Sequence, residues 1–451
     1  MSIIIPANTL AAGGFDVDNS CRFETNTSLT KDIDSTNTSW TFSLWVKRTK
    51  LSATQYMISY GDSGVTNAIG FSAANLFQYY GEEEGYLIAT AAALTDTSAW
   101  YHLVCKNASG TITMYVNGVA IPTTGGTTGS ALSAGIFRVG AYQGGGLFFG
   151  GYMAEVCFID SAALNPTSFG EFDEDSGIWK AIDVSGLTFG TDGFYLDYEA
   201  SGNLGNDANG ATDLTENNIV ATDQATDTCT NNFATLNPLN NYWAAATFSE
   251  NNSVYTSNNT GDYYGISPST IGVSKGKWYF EAKTSTASGQ DILGITSRNM
   301  TGRTTWLGSR SQEYGYYQDN GEIRSNAGGG GSDTSYGQTY TVNDIIGIYM
   351  DLDNNKMYVS DNGSLMNSGT GHTITAAALT DSGFYHFAVG DNSDSTQVWQ
   401  CNFGGTSGFA ISSAVADDNG FGAFEYSPNI TGDSVAKKFY SLCTKNLAEF
   451  G

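Results

Sequence analysis

The side chains most able to do chemistry are few: three histidines, His102, His372 and His386, and two acidic runs, Glu171-Phe172-Asp173-Glu174-Asp175 and Asp351-Leu352-Asp353-Asn354-Asn355. Two carboxylates roughly 5 Å apart on one strand face would cleave a glycosidic bond with retention. The first run instead follows Asn165-Pro166, which has the form of an N-cap and a first helical residue, so it is expected to close a short helix. The second opens like a calcium loop, but Lys356 stands where that loop needs Gly and Asn362 where it needs a bidentate Glu, so it reads as a turn. A histidine-activated nucleophile needs a Ser or Cys placed beside it, and the three histidines are read as core or edge residues. Gly328-Gly329-Gly330-Gly331 lacks the Lys-Ser/Thr of a phosphate cradle. The expectation is a chain that binds without catalysing, with no cofactor except a calcium ion that Asp16 and Asp18, or Asp391 and Asp394, could help to hold.

Aromatic side chains in Gly-rich surroundings are the better candidates, because a flat apolar face ringed by polar groups suits a sugar ring or a protein surface. They are Tyr79 and Tyr80 beside Glu82-Glu83-Glu84, Tyr142 with Phe148 and Phe149, Tyr263 with Tyr264, and Tyr314, Tyr316 and Tyr317 near Trp306. Residues 1–13 form an apolar arm whose Ile3-Ile4-Ile5 would be costly to leave in water, so it is expected to dock on a neighbouring subunit or larger assembly.

These residues must be positioned by strands. With 55 Gly, 26 Tyr, 24 Phe, only 6 Pro and 14% charged residues, the composition describes many short strands joined by tight turns. The fold class expected is all-β: two antiparallel sandwiches of jelly-roll type with little helix. A length of 451 residues exceeds one ordinary core. The formal net charge of −26 opposes nucleic acid and anionic membrane, and no apolar run is long enough for a membrane span. The N-terminus lacks the basic start and long apolar core of a secretory signal, so the chain is expected to be made in the cytoplasm. Its six cysteines are scattered without a Cys-x-x-Cys pair and are expected to be reduced.

Strand patterns divide the chain. In Trp40-Thr41-Phe42-Ser43-Leu44-Trp45-Val46-Lys47-Arg48, Phe42, Leu44 and Val46 share one face. With Trp100–Cys105, the Asn117-Gly118 hairpin and Gly151–Phe158, this run resembles laminin-G-like, concanavalin A-like sandwiches. Further on, Asn343–Gly363 alternates apolar residues to Met350, turns at Asp351–Asn355 and resumes at Met357. This hairpin resembles the central one of SPRY domains, and Gly276–Ala282, Ile292–Ile295, Phe384–Gly390 and Cys401–Gly404 are similar to SPRY strands in the same order. Asn343 stands where that family often has Gly.

The domain expectation is an arm over 1–13, a laminin-G-like sandwich over 14–200, a connector over 201–232, a SPRY-like sandwich over 233–430 and a tail over 431–451. The tail is expected to fold back as an edge strand. Trp45-Val46-Lys47-Arg48, Asp175-Ser176-Gly177-Ile178-Trp179, the phrase Asp227–Thr235 and the C-terminal phrase resemble bacteriophage virion proteins with this layout. That resemblance implies a virion protein assembled in the host cytoplasm: a tail fibre or spike recognising a host glycan or protein, or a capsid decoration or head-fibre protein docked through its arm. It implies other virion proteins as partners and a homo-oligomer such as a trimer.

Overall fold

Trp40–Arg48 is central to the first half of the chain, and every one of its nine residues is buried. Alternation explains how one strand can be buried throughout: Trp40, Phe42, Leu44 and Val46 point into the sandwich core, and Trp45 points the other way into a second apolar layer. In the computed structural model the described residues are 14–61, 66–81, 86–132, 134–241, 246–257, 265–286, 290–298, 305–326, 331, 333–392, 396–431 and 437–451. Ile3, Ile4 and Ile5 lie outside them, as do Tyr263, Tyr264 and Asp394. The chain divides into two compact units, 1–232 and 233–451.

The first unit is two facing antiparallel sheets. One, centred on Trp40–Arg48, has it between Trp100–Ala108 and Gly151–Asp160. The other runs, in spatial order, Thr123–Thr124, Tyr86–Ala93, Leu76–Gly81, Asn67–Phe71, Gln55–Gly61, Gly135–Val139, Ser28–Ile33 and Thr215–Asn217. Aromatic stacking fills the space between them: Phe42 lies 4.7 Å from Phe158, and Phe137 lies 5.1 Å from Phe158.

Residues 201–232 pack as part of this sandwich. Thr215–Asn217 pairs with Ser28–Ile33, and Gln224–Ala225 pairs with Ser20–Phe23. Asp227 is held deeper still. The Lys47 ammonium, buried in the sheet, meets the Asp227 carboxylate at 2.6 Å and the Asn232 amide oxygen at 2.7 Å, while Trp100 Nε1 donates to Asp227 at 3.0 Å. A polar residue in a strand interior is tolerated here because its charge is paired and hydrogen-bonded.

The acidic run at 171–175 departs from expectation. Only the single turn Pro166–Ser168 is helical, and Gly170–Phe172 is a strand paired with Trp179–Ala181. Asp173 turns that hairpin, accepting hydrogen bonds from Ser176 and Lys180 that hold its carboxyl down at about 2.

The second unit holds a nine-stranded and a six-stranded sheet among the described residues. The Ile346–Asp351 and Lys356–Asp361 strands pair in register from Ile346 opposite Asp361 to Asp351 opposite Lys356. Asn355 takes φ +53° in the turn, where Asn is tolerated, and Asp351 accepts hydrogen bonds from Asn354. The tail folds back onto the sheet: Tyr440–Ser441 pairs in parallel with Lys277–Thr284 and with no other strand among the described residues, and Thr444–Phe450 forms a helix that was not expected.

All six cysteines are buried and free. No helix among the described residues is long and apolar enough to cross a membrane.

Candidate functional site

Strand alternation decides the fate of the first aromatic pair. On Leu76–Gly81, Tyr79 is fully buried in the core, where its hydroxyl donates to Asn67 at 3.0 Å and accepts from the Ser130 N–H at 3.0 Å. Tyr79 is therefore a core residue and not a surface one. Tyr80, one position on, faces outward and is half-buried.

Register then shows what Tyr80 meets. Across the outer face of this sheet a row runs Leu87, Tyr80, Ala68, Ser59, Arg138 and Thr30, each opposite the next. Two residues along the strands lies a parallel row, Ala89, Gln78, Gly70 and Tyr56. The middle of both rows is small, Ala68, Ser59 and Gly70, between larger side chains. Large residues flanking small ones on a pleated surface make a shallow trough, and its floor residues Ala68, Ser59 and Gly70 are themselves buried beneath their neighbours.

Gly70 is required there, since a Cβ would lie 2.0 Å from the Gln55 carbonyl oxygen. Above it the Gln78 amide donates to the Tyr56 hydroxyl at 3.2 Å. Burial pushes the Tyr56 hydroxyl up to about 12, with nearby Tyr80 adding to the effect.

The loop from Ala141 to Phe148 forms one bank of the trough. It is tied down by Ser59 Oγ donating to the Ala141 carbonyl at 2.9 Å and by Tyr56 N–H donating to Leu147 at 3.0 Å. This sets the Tyr142 ring 5.1 Å from that of Tyr56. Phe148 is half-buried beside a backbone bridge to Tyr56, and Leu147 is 49% exposed. Arg138 Nε donates to Gln143 at 3.0 Å, and Gln143 donates onward to Gly61 at 2.7 Å. The face thus offers the half-buried rings of Tyr80, Tyr142 and Phe148, the Arg138 guanidinium and the Gln143 amide, above buried Tyr56 and Gln78. Such a set can stack on an apolar ring face and hydrogen-bond to hydroxyls around it.

Sequence reasoning named Tyr80, Tyr142 and Phe148 and missed Tyr56, Gln78, Arg138 and Gln143. The signal for the missed residues is the alternation itself: each strand residue of the set is flanked by core residues such as Met57, Tyr79 and Phe137.

The other candidate cluster does not form. Tyr316 and Tyr317 are buried, Tyr316 stacking on Tyr340 at 5.8 Å with its hydroxyl on the Gln338 carbonyl, and Tyr317 under the Arg324 guanidinium at 3.6 Å. Both faces of their strand are covered, so neither presents a ring to solvent. Trp306 is half-buried against the same cluster as Tyr317.

A serine does lie beside a histidine. Ser43 Oγ and His102 Nε2 are 2.8 Å apart, and Trp179 Nε1 donates to His102 Nδ1 at 2.9 Å. Because Nδ1 accepts from an indole N–H, the imidazole proton sits on Nε2 and is donated to Ser43. The ring therefore cannot accept the serine proton as a general base would. Burial also pulls its pKa down to about 3, which keeps it neutral. Among the buried carboxylic acids, Glu155 is pushed up by burial to about 8 and bonded by the Tyr195 hydroxyl at 2.7 Å, and Glu281 is raised by burial to about 7. Among the described residues no group of three or more His, Cys, Asp or Glu side chains could hold a metal ion.

Residues 23–168 match the family model Laminin_G_3, described as the concanavalin A-like lectin/glucanases superfamily. The domain class of the first unit is thus a concanavalin A-like sandwich. A search of curated proteins gave no match. Among solved structures, the chain is similar to the SPRY domain of human HERC1, at 14% identity and TM-score 0.28, covering 37% of this chain and 96% of that one. It is similar to a "putative carbohydrate binding protein" from Bacteroides ovatus ATCC 8483, at 17% identity and TM-score 0.31, covering 46% and 60%. It is also similar to a heptameric SAP-like pentraxin from Limulus polyphemus, at 18% identity and TM-score 0.27, covering 34% and 80%.

Proposed function

We propose that this chain is a non-enzymatic bacteriophage virion protein, a tail fibre or spike component that recognises a glycan on the host surface through the outer trough of its first sandwich. The carrying observation is the convergence of half-buried Tyr80, Tyr142, Arg138 and Gln143, supported from beneath by buried Tyr56 and Gln78. A binding role accords with a concanavalin A-like fold, and the donation of the His102 proton to Ser43 supports reading that pair as structural. The phage setting rests on the sequence phrases around Trp45–Arg48, Asp175–Trp179 and Asp227–Thr235. A symmetric oligomer would multiply weak single-site affinities through avidity.

The test is binding of the purified protein to immobilised surface polysaccharides from candidate host bacteria, with Tyr80→Ala/Tyr142→Ala alongside. The expected result is saturable binding by the parent chain and a loss of at least about tenfold in the variant, equivalent to ~1.4 kcal/mol, with an unchanged melting temperature. Equal binding by both proteins, or none by the parent, overturns the assignment to the trough.

A further inference from the structure

A second cleft opens in the second unit, with chemistry unlike that of the trough. It has a volume of about 530 Å³ and is lined by Gly276, Lys277, Asp353, Asn354, Lys437, Lys438, Tyr440 and Phe450. The whole chain has 19 basic residues against 45 acidic ones, yet three lysines and a single aspartate line this cleft. The lining carries two more positive than negative side chains, with Asp417, Asp418 and Glu449 just outside it, and an anion seated on the lining meets a charge that the rest of the surface lacks.

The three lysines reach the cleft from separate pieces of chain. Lys277 opens a central strand, and Lys437 and Lys438 precede the parallel strand Tyr440–Ser441 that docks beside it. Each ammonium has a position set by the fold. Lys277 lies 3.9 Å from Asp353, whose carboxylate is itself fixed by the Gly276 N–H at 2.9 Å. The Lys437 ammonium lies 5.3 Å from the centre of the Tyr358 ring. Lys438 is paired with Asp418, which also accepts from Asn429 at 2.6 Å. Asp418 does not line the cleft, so Lys438 can share its charge with an incoming anion. Tyr440 and Phe450 stack with centroids 3.9 Å apart and planes at 17°, giving the cleft a flat apolar wall.

Gly276 is required at the base. It takes φ +86°, and a Cβ there would lie 2.8 Å from the Phe450 carbonyl oxygen, so the close approach of the C-terminal helix depends on a bare backbone.

We propose that this cleft binds an acidic saccharide, a sugar carrying carboxylate groups, with the lysines on the carboxylates and the Tyr440/Phe450 wall against a ring. Lysines supply point charges that suit a carboxylate or sulfate alike. The adjoining aromatic wall and a volume within the usual range for small-ligand sites favour an organic ligand over a bare ion. The site is independent of the trough on the first unit.

Calorimetric titration of the full chain with tetragalacturonate, its neutral methyl ester and sodium sulfate tests the proposal. Tetragalacturonate is expected to bind, the ester at least about tenfold more weakly, and sulfate alone more weakly again. Lys277→Gln/Lys438→Gln is expected to lose at least about tenfold in affinity for the acid. Both lysines are partly or fully exposed, so the variant should keep the parent melting temperature, and Lys437→Gln serves as a second variant if it does not. The affinity should also fall as salt is raised. Tyr80→Ala/Tyr142→Ala should bind tetragalacturonate as the parent does, which separates this site from the trough. Equal binding of acid and ester, undiminished binding by the lysine variants, sulfate binding as tightly as the oligosaccharide, or no binding of the acid at all would each overturn the proposal.

Discussion

The two outer faces of the first sandwich carry the same kinds of side chain and come to opposite ends. On one, Trp45, His102, Trp100 and Tyr152 are sealed, with the Gly170–Phe172/Trp179–Ala181 hairpin placing Trp179 over His102 at 5.8 Å between ring centres. On the other, Tyr80, Tyr142 and Arg138 remain half-buried beside a floor of Ala68, Ser59 and Gly70. The covered face turns its polar groups into fixed structure: Ser43, His102 and Trp179 satisfy one another in a dry chain of hydrogen bonds. The other face keeps aromatic edges and polar groups within reach of solvent. Residue type does not separate a binding surface from a core; what lies on top of it does.

The largest expected effect lies on the covered face. Asp227→Ala would leave the Lys47 ammonium buried without its counter-charge, a loss of ~3–5 kcal/mol in stability that urea unfolding of the full chain would measure. A change under 1 kcal/mol would mean that Asn232 and relaxation suffice for Lys47, and that this face is less tightly sealed than its burial indicates.

Neighbouring tyrosines give the sharpest contrast between a core and an outer position. Tyr79→Ala should cost ~3–5 kcal/mol, the penalty of removing a large buried ring. Tyr80→Ala should cost no more than about 1 kcal/mol and show its effect in polysaccharide binding. Equal destabilisation by the two substitutions would break the comparison.

Acid and alkali should strain different buried groups of the same sandwich. His102, depressed from 6.5 to about 3, binds its proton less readily when folded than when unfolded. Its contribution is complete above pH 6.5 and is lost as pH falls towards 3. Glu155, raised from 4.5 to about 8, behaves in the opposite sense: its contribution is complete below pH 4.5 and is lost as pH rises through 8. The steepest slope is about 1.4 kcal/mol per pH unit for each group. Glu155→Gln should therefore flatten the decline in stability between pH 5 and 8, as read by denaturation at both values, and leave the acid limb intact.

The smallest effect concerns the second unit. Asn355→Ala, at φ +53° in the Asp351–Asn355 turn, should cost about 1 kcal/mol by thermal unfolding, because Ala tolerates the left-handed region less well than Asn.

Much of the fold was legible. The alternation in Trp40–Arg48 and in Asn343–Gly363 gave two antiparallel hairpin systems, and the turn residues Asn117-Gly118 and Asn362-Gly363 all take positive φ, as such turns require. The acidic run at 171–175 was misread because a Pro after an N-cap residue resembles a helix start, whereas Trp179 finds its apolar partners by closing a hairpin over the sheet. The tail was foreseen as an edge strand, and Tyr440–Ser441 does pair with a single strand, alongside Trp278, but the helix that follows was not foreseen. Of the aromatic residues, Tyr80, Tyr142 and Phe148 fall around one site, whereas Tyr79, Tyr316 and Tyr317 went inside.

The sequence by itself determined the class of architecture, because side-chain alternation and turn chemistry are local and survive without knowledge of neighbours. It determined too that the chain is strongly acidic. Only the tertiary structure decided which tyrosine of an adjacent pair faced out, that Lys47 met Asp227 from 180 residues away, and that Lys277, Lys437 and Lys438 shared a cleft. Those outcomes depend on strand register and on which surface is later covered, and both are set by contacts between segments far apart in the chain.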